Sequence, residues 1–418
     1  MSTRRGTNLP RMGDFNQAVV VEAIRRAGEA LSRTELAAAT GLSAQTLTNI
    51  TRRLLDDGLI AEAGRAINGP GKPRVLLRLV AESRYSVGVH LDPAVVTVVL
   101  LDLAGTAVAR RLIPVGAPEP ARVIDAMAQA IEAVIGEAGV DRSRIVGIGL
   151  AAPGPLDEAN GTVVDPPMLR GWRRVPLRTL LSEATGFAVV LEKDTAAAAV
   201  GELWTRRGPV DDSFVLLYLG TGLGAALARD GDVTRGRIGN FGEIGHIVVD
   251  PEGPACACGS RGCVAVTCTP QAIVAEAVRA GVLPPDGDED EAGALEDRFA
   301  AVCARAERGE PFASGILARA ARCTAALLVI LTDVLDVERI VLGGPFWGYV
   351  SAVYLAELPE HVHRASATRA LREIPIHGSV VGADVGAVGA ACVVLNEALT
   401  PRASSLLLSE RVVAPVAP

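Results

Sequence analysis

The chain has 418 residues, room for two or three domains at roughly 150 residues each, every one with its own core. Hydrophobic residues make up 49% and charged residues 21%, which excludes a disordered or collagen-like chain. The net charge of −7 is uneven: residues 1–80 hold 12 Arg/Lys against 7 Asp/Glu, a net of +5, so only this part is set to meet a polyanion.

The opening segment MSTRRGTNLPRMGD is charged and lacks the apolar core of a secretory signal, so a cytoplasmic protein is expected. Residues 17–28, QAVVVEAIRRAG, place Val20 and Ile24 on one face of a helix that stops at Gly28. In SRTE, Ser32 and Glu35 can satisfy each other's orphan amides and open a short helix through Leu36 to Thr40, ended by Gly41. Ser43 caps a third helix running to Asp57, with Leu47, Ile50 and Leu54 as its buried stripe. INGPGKPRVLLRL is then expected as a two-stranded wing whose tip carries Arg65, Lys72 and Arg74.

This winged helix-turn-helix with a local basic excess points to double-stranded DNA. The third helix presents Gln45, Thr46, Thr48, Asn49, Arg52 and Arg53 opposite its apolar stripe, with Ser43 at its start. Gln45 and Asn49 suit adenine edges, whereas Arg52, Lys72 and Arg74 suit phosphates.

From Tyr85 the pattern changes to strands. YSVGVHLDPAVVTVVLLDLAG reads as a hairpin turning at Asp92-Pro93, followed by an amphipathic helix from about Pro120 to Gly139. RIVGIGLAAPG (144–154) and AVVLEKD (188–194) are buried strands, the latter with charged groups at the end where ligands gather in α/β sheets. FVLLYLGTGLGAALARDG, from Phe214, repeats the hairpin, so the acidic body is a weak internal duplication. GTGLG (220–224) brings amides near a phosphate or simply closes that hairpin. Asp194 is either a general base on a hydroxyl or the N-cap of the helix that follows.

His246, nine further residues, then Cys256, Cys258 and Cys263 form the strongest chemical signal. One imidazole and three thiolates, with Gly259 and Gly262 folding the loop back, can complete a closed tetrahedral Zn²⁺ shell of structural type, its charge offset by Arg261. A strained disulfide or chance clustering are the competing readings. Glu243, in the same short loop, can offer its carboxylate to a ligand. Residues 284–298 read as a solvated acidic insertion. The apolar run around Ala325–Ile330 is broken by Thr332 and Asp333, short of the roughly 18 residues of a membrane span, so no membrane partner is expected. Residues 401–418 read as a tail.

Taken together, the helix-turn-helix, EKDTAAAAVGE (192–202), GTGLG, GEIGH (242–246), CACGSRGC (256–263) and VLGGP (341–345) resemble the ROK family of sugar-responsive repressors and sugar kinases, across nearly the whole chain. The resemblance implies an α/β fold: an N-terminal winged helix-turn-helix (1–80), then a two-lobed actin-like body. Its first lobe would span 81–200, closed by a helix at about 385–400, and its second 201–384, carrying the zinc loop. It also implies a homodimer or higher assembly such as a dimer of dimers. By the same resemblance Asp194 matches the kinases' catalytic base, and Glu243 and His246 match residues lining the sugar pocket.

The departures separate the branches. Where the kinases carry an Asp and a Gly-Gly-Thr turn for Mg²⁺ and phosphate, this chain has His90, Leu91, Asp92, Pro93 and Ala94. Pro93 has no amide hydrogen, and the side chains crowd the approach, so no ATP cradle is expected. His90 reads as a strand residue rather than a ligand. Lys193 stands where Asn is usual, Ala265 where Glu is usual, and Met168 where an Asn precedes the position of Trp172. Lys193 is a donor-only cation, so the effector is an anionic or phosphorylated sugar, or the pocket is vestigial. The leading expectation is a non-enzymatic DNA-binding regulator responsive to a sugar or sugar derivative. An active sugar kinase fused to a DNA-binding module, and a ligand-independent regulator, are the alternatives.

Overall fold

The computed structural model describes residues 9–66, 73–115, 119–166, 169, 171–206, 213–285 and 292–399. They form two compact units, one of residues 9–84 with 102–104 and 395–399, the other of 85–101 with 105–394.

The first unit opens with α1 (Leu9–Ala27), then β1 (Leu31–Ser32), α2 (Arg33–Thr40), α3 (Ala44–Asp56), β2 (Ile60–Ala66) and β3 (Arg74–Leu79). The capping box at Ser32 is complete: the Glu35 amide donates to the Ser32 hydroxyl at 3.3 Å, and the Ser32 amide donates to the Glu35 carboxylate at 2.7 Å. Gly41 closes α2 in the left-handed conformation. Val20 and Ile24 of α1 are buried, as are Leu36 of α2, Leu47, Ile50 and Leu54 of α3, and Leu77 of β3. Each full burial of such a side chain contributes roughly 1.5–3 kcal/mol.

Three details depart from expectation. α1 begins at Leu9 rather than 17, because a helix needs its apolar stripe only where it packs. The first wing strand is IAEAGRA, upstream of INGPG, with a register shift between Glu62 and Arg65. The two-residue β1 adds a third strand, ordered β1-β3-β2. Lys72 and the wing tip at 67–72 lie outside the described residues.

The second unit begins with β4 (Tyr85–Leu91), β5 (Val95–Asp102) and β6 (Ala107–Pro114), a third strand that the hairpin reading missed. α4 (Pro120–Glu137), β7 (Ile145–Ala152), β8 (Leu156–Asp157), β9 (Thr162–Val164), β10 (Arg174–Val175), α5 (Leu177–Thr185), β11 (Val189–Lys193) and α6 (Asp194–Thr205) follow. Next come β12 (Phe214–Leu219), β13 (Leu223–Arg229), β14 (Asp232–Val233), α7 (Val264–Thr267), α8 (Pro270–Arg279), α9 (Ala292–Glu307), α10 (Pro311–Leu335), β15 (Arg339–Gly343), α11 (Trp347–Ala365), β16 (Ile376–Gly378) and α12 (Val385–Leu399).

Two five-stranded sheets dominate, ordered β11-β7-β4-β5-β6 and β14-β13-β12-β15-β16. In each, the first strand in sequence is central, hairpin strands extend one side, and parallel crossover strands extend the other. This shared order is the duplication anticipated from the two hairpins. Separate apolar cores lie against the two sheets. α12 closes onto the first sheet, where Ser86 donates to the Ala391 carbonyl at 3.1 Å. A Cβ on Gly149 would lie 1.7 Å from the Ala390 carbonyl oxygen, so only glycine permits that approach.

Residues 292–298, read as part of a solvated insertion, form the start of α9, and Leu295 packs on the core; 286–291 lie outside the described residues. The expectation that no segment suits a membrane span needs correction. Pro311–Leu335 and Gly382–Leu399 are long and apolar enough by length and composition, but 61% of each apolar window is buried inside the fold, which accounts for its apolarity. The tail at 401–418 lies outside the described residues.

Candidate functional site

His246, Cys256, Cys258 and Cys263 come together as the spacing predicts, with their ligand atoms all within 4.8 Å of one another. Cys256 Sγ lies 3.5 Å from His246 Nδ1, and Cys258 Sγ lies 3.6 Å from Cys263 Sγ. A disulfide needs about 2.05 Å between sulfurs, so the thiols are unbridged. Local backbone bonds build the knot. The Cys256 amide donates to the Ser260 carbonyl and the Gly259 amide to the Cys256 carbonyl, while the Val249 and Asp250 amides converge on the Gly262 carbonyl. Gly262 has φ +62, and a Cβ there would sit 1.5 Å from the Asp250 carbonyl oxygen. The four groups could hold one metal ion.

A second constellation sits where β11 meets α6. Lys193 is buried at 3% exposure, and its Nζ donates to Glu243 Oε1 at 2.6 Å and to the Phe241 carbonyl at 3.0 Å. Lys193 is therefore not a bare cation. Glu243 neutralises it while leaving much of its own carboxylate in solvent. Asp194 is the first residue of α6 rather than its N-cap, a place taken by Lys193 without a side-chain bond. The Asp194 carboxylate accepts from the Thr195 amide at 2.7 Å. Burial pushes its pKa up to about 7 against the pull of Lys193 and that amide, with Glu243 and Asp92 adding to the rise.

Two neighbours escaped the sequence reading. Asn240 clasps both the amide and the carbonyl of Leu156 at 2.8 Å, and Arg235 pairs with buried Glu192 at 2.6 Å. Isolated polar residues in an irregular loop carry no periodic signal that could have marked them.

The hairpin turn at 92–94 differs from a phosphate cradle. His90 is buried, lies 3.3 Å from the Tyr218 hydroxyl, and is pushed down to about 4 by burial against a smaller opposing pull from Asp384, so it is a neutral strand residue. The Asp92 carboxylate accepts from the Ala94 amide at 2.9 Å, and the backbone amides of Thr221 and Val95 also pull its pKa down. Burial raises it to about 6, those amides opposing and Glu296 reinforcing. GTGLG closes the β12–β13 hairpin, with the Gly220 amide donating to the Gly222 carbonyl.

On the first unit, Gln45, Asn49, Arg52 and Arg53 are exposed along α3, and Arg65 and Arg74 are exposed on the wing strands. Ser43, Thr46 and Thr48 are engaged locally. The Ser43 hydroxyl accepts from the Thr46 amide and lies 2.9 Å from the Thr46 hydroxyl, and the Thr48 hydroxyl donates to the Ala44 carbonyl. Arg33, missed from the sequence, donates to Thr51 at 2.9 Å and braces α2 against α3.

Comparison with known proteins bears on both units. Residues 87–397 match the model of the ROK family, and residues 8–66 match that of the MarR family. The chain belongs to the ROK family. A glucokinase from Halalkalibacterium halodurans is 29% identical, over 73% of this chain and 93% of the glucokinase. The xylose repressor of Bacillus subtilis is 27% identical over 59% of this chain, the match spanning only 64% of the repressor. A solved ROK family transcriptional regulator, described as a homolog of the Escherichia coli MLC protein, superimposes with a TM-score of 0.73 at 25% identity, covering 93% of this chain and 98% of that one. Within this ROK body, Ala265 sits against Gly245, where a Cβ would lie 3.8 Å from the Ala265 Cβ, and its amide donates to the Gly245 carbonyl. Met168 lies outside the described residues.

Proposed function

We propose that this ROK protein is a cytoplasmic DNA-binding transcriptional repressor that responds to a sugar or sugar derivative without phosphorylating it. The observation carrying this reading is the joining in one chain of a winged helix-turn-helix and a ROK body, matching a solved ROK regulator over 93% of its length. The turn at Asp92-Pro93 supports the non-enzymatic side, since phosphoryl transfer rests on positioning the phosphates and neutralising their charge.

On DNA, Gln45 and Asn49 would read base edges, and Arg52, Lys72 and Arg74 would meet phosphates. The hydroxyls of Ser43, Thr46 and Thr48 would chiefly set the start of α3. The metal would be a structural Zn²⁺. In a tetrahedral site with ordinary zinc bond lengths, sulfur–sulfur edges are about 3.8 Å and sulfur–nitrogen edges about 3.6 Å, close to the Cys258–Cys263 and Cys256–His246 separations. His246 would give Nδ1 to the metal and keep Nε2 for a ligand hydroxyl, with Lys193, Asp194 and Glu243 completing the sugar site. Lobes at 81–200 and 201–384 in a homodimer or dimer of dimers would set the spacing of two reading heads. An effector acts only if it prefers one arrangement.

The buried Asp194 and the glucokinase relative favour a second reading, a sugar kinase carrying a DNA-binding module. The test is operator binding titrated against sugars, sugar phosphates and ATP, with ADP release followed in parallel. Operator release without ADP supports the regulator, and ADP formation with any sugar supports the kinase.

A further inference from the structure

Lys193 ends β11 and caps α6 with its ammonium turned inward: its side chain is 4% exposed, whereas that of its partner Glu243 is 62% exposed. The ion pair is therefore layered, with the cation inside and the carboxylate facing solvent. An ammonium has three hydrogens to donate. Among the described residues two are placed, on Glu243 Oε1 at 2.6 Å and on the Phe241 carbonyl at 3.0 Å, which leaves one for an arriving acceptor. Gly154 flanks the pair. A Cβ there would lie 3.0 Å from Glu243 Oε1 and 3.5 Å from Lys193 Cε, so the missing side chain keeps the pair within reach of a ligand.

Charge decides what can take the outer place. Stripping a buried cation of its counter-ion is strongly unfavourable. A sugar hydroxyl that pushed Glu243 aside would leave that penalty standing, because it brings an oxygen but no charge. A carboxylate brings both and exchanges one for one with Glu243. A phosphate carries about −1.5 to −2 at pH 7. It would set surplus negative charge beside Asp194, a carboxyl that burial pushes up to about 7 and that Glu243 pushes in the same direction.

We propose that Lys193 makes this site specific for a sugar acid, its ammonium taking the ligand's carboxylate in exchange for that of Glu243. In the free protein Glu243 holds the place. The exchange releases Glu243 from β11, so the ligand acts on the short loop that also carries His246, and the freed carboxylate can accept the ligand's hydroxyls. The inference rests on the sugar-responsive reading given above and narrows the effector to an aldonate or a uronate.

The test is calorimetric titration of the full-length protein, without DNA, with gluconate, galactonate, glucuronate and galacturonate, and with glucose, galactose, xylose and glucose 6-phosphate. At least one of the four acids should bind saturably to wild type, about tenfold or more tightly than every neutral sugar and the phosphate. Lys193→Asn should abolish that preference. A neutral sugar or the sugar phosphate binding more tightly than all four acids overturns the proposal and leaves the regulatory reading standing. So does an acid preference that survives in K193N. Binding of none of the eight overturns the proposal and the sugar-responsive reading together. If K193N does not fold, the wild-type ranking decides alone.

Discussion

Replacing Asp194 with Asn should make the ROK body more stable at alkaline pH, with a gain that shrinks as the pH falls towards 4. Burial lifts this carboxyl from an ordinary 3.8 to about 7, outweighing the opposing pull of Lys193 and the Thr195 amide. The native state therefore holds the proton more tightly than the unfolded chain. The resulting stability is complete below about pH 4 and is lost as pH rises through 7. A difference of about three pH units at roughly 1.4 kcal/mol each sets a ceiling of about 4 kcal/mol. Asn stays neutral at every pH, and its carbonyl oxygen can keep the bond from the Thr195 amide. D194N should therefore exceed wild type by about 2–4 kcal/mol at pH 8.5 and by only about 1–2 kcal/mol at pH 5. Urea unfolding followed by tryptophan fluorescence reads this cleanly, because Trp172, Trp204 and Trp347 all lie within the second unit. An equal offset at both pH values, or a D194N protein that is weaker at pH 8.5, would refute the assignment of a buried, protonated acid.

Other outcomes follow from the same geometry. Cys258→Ser should lower bound zinc below one equivalent and open residues 247–263 to proteolysis, whereas full zinc occupancy would mean another ligand set. Gly149→Ala drives a methyl into the Ala390 carbonyl and should cost about 1–3 kcal/mol or more, read by the same tryptophan assay. Arg52→Ala should weaken binding to all DNA sequences and reduce the salt slope by about 1, while Asn49→Ala should cost about 1–3 kcal/mol and relax specificity at one position; footprints unchanged in both variants would remove α3 from the groove.

What the sequence made legible was local. The Ser32/Glu35 capping box, the αL stop at Gly41 and the stripe of Leu47, Ile50 and Leu54 depend on spacings of three or four residues, which periodicity exposes. The His246/Cys cluster was legible for a related reason: CxC and a nearby Cys bring thiols together whatever surrounds them. The two-residue β1 and the strand β6 were missed, because one is too short for a pattern and the other, AVARRLIP, is half charged. Tertiary meetings were hidden as well. Lys193 finds Glu243 across 50 residues, so the donor-only cation read from the sequence is half of an ion pair. Asp92 comes near Gly220 only because two sheets present their turns to one another.

The central claim is that a kinase-like body reports on a sugar through DNA instead of turning it over. Fluorescence anisotropy of an operator fragment with the purified protein, run with a sugar panel and coupled to an ADP assay in the same wells, tests it most directly. The account predicts salt-sensitive operator binding that at least one sugar or sugar acid weakens tenfold or more, with no ADP formed. Steady ADP production with a hexose, or operator affinity no better than that for random duplex, would contradict it.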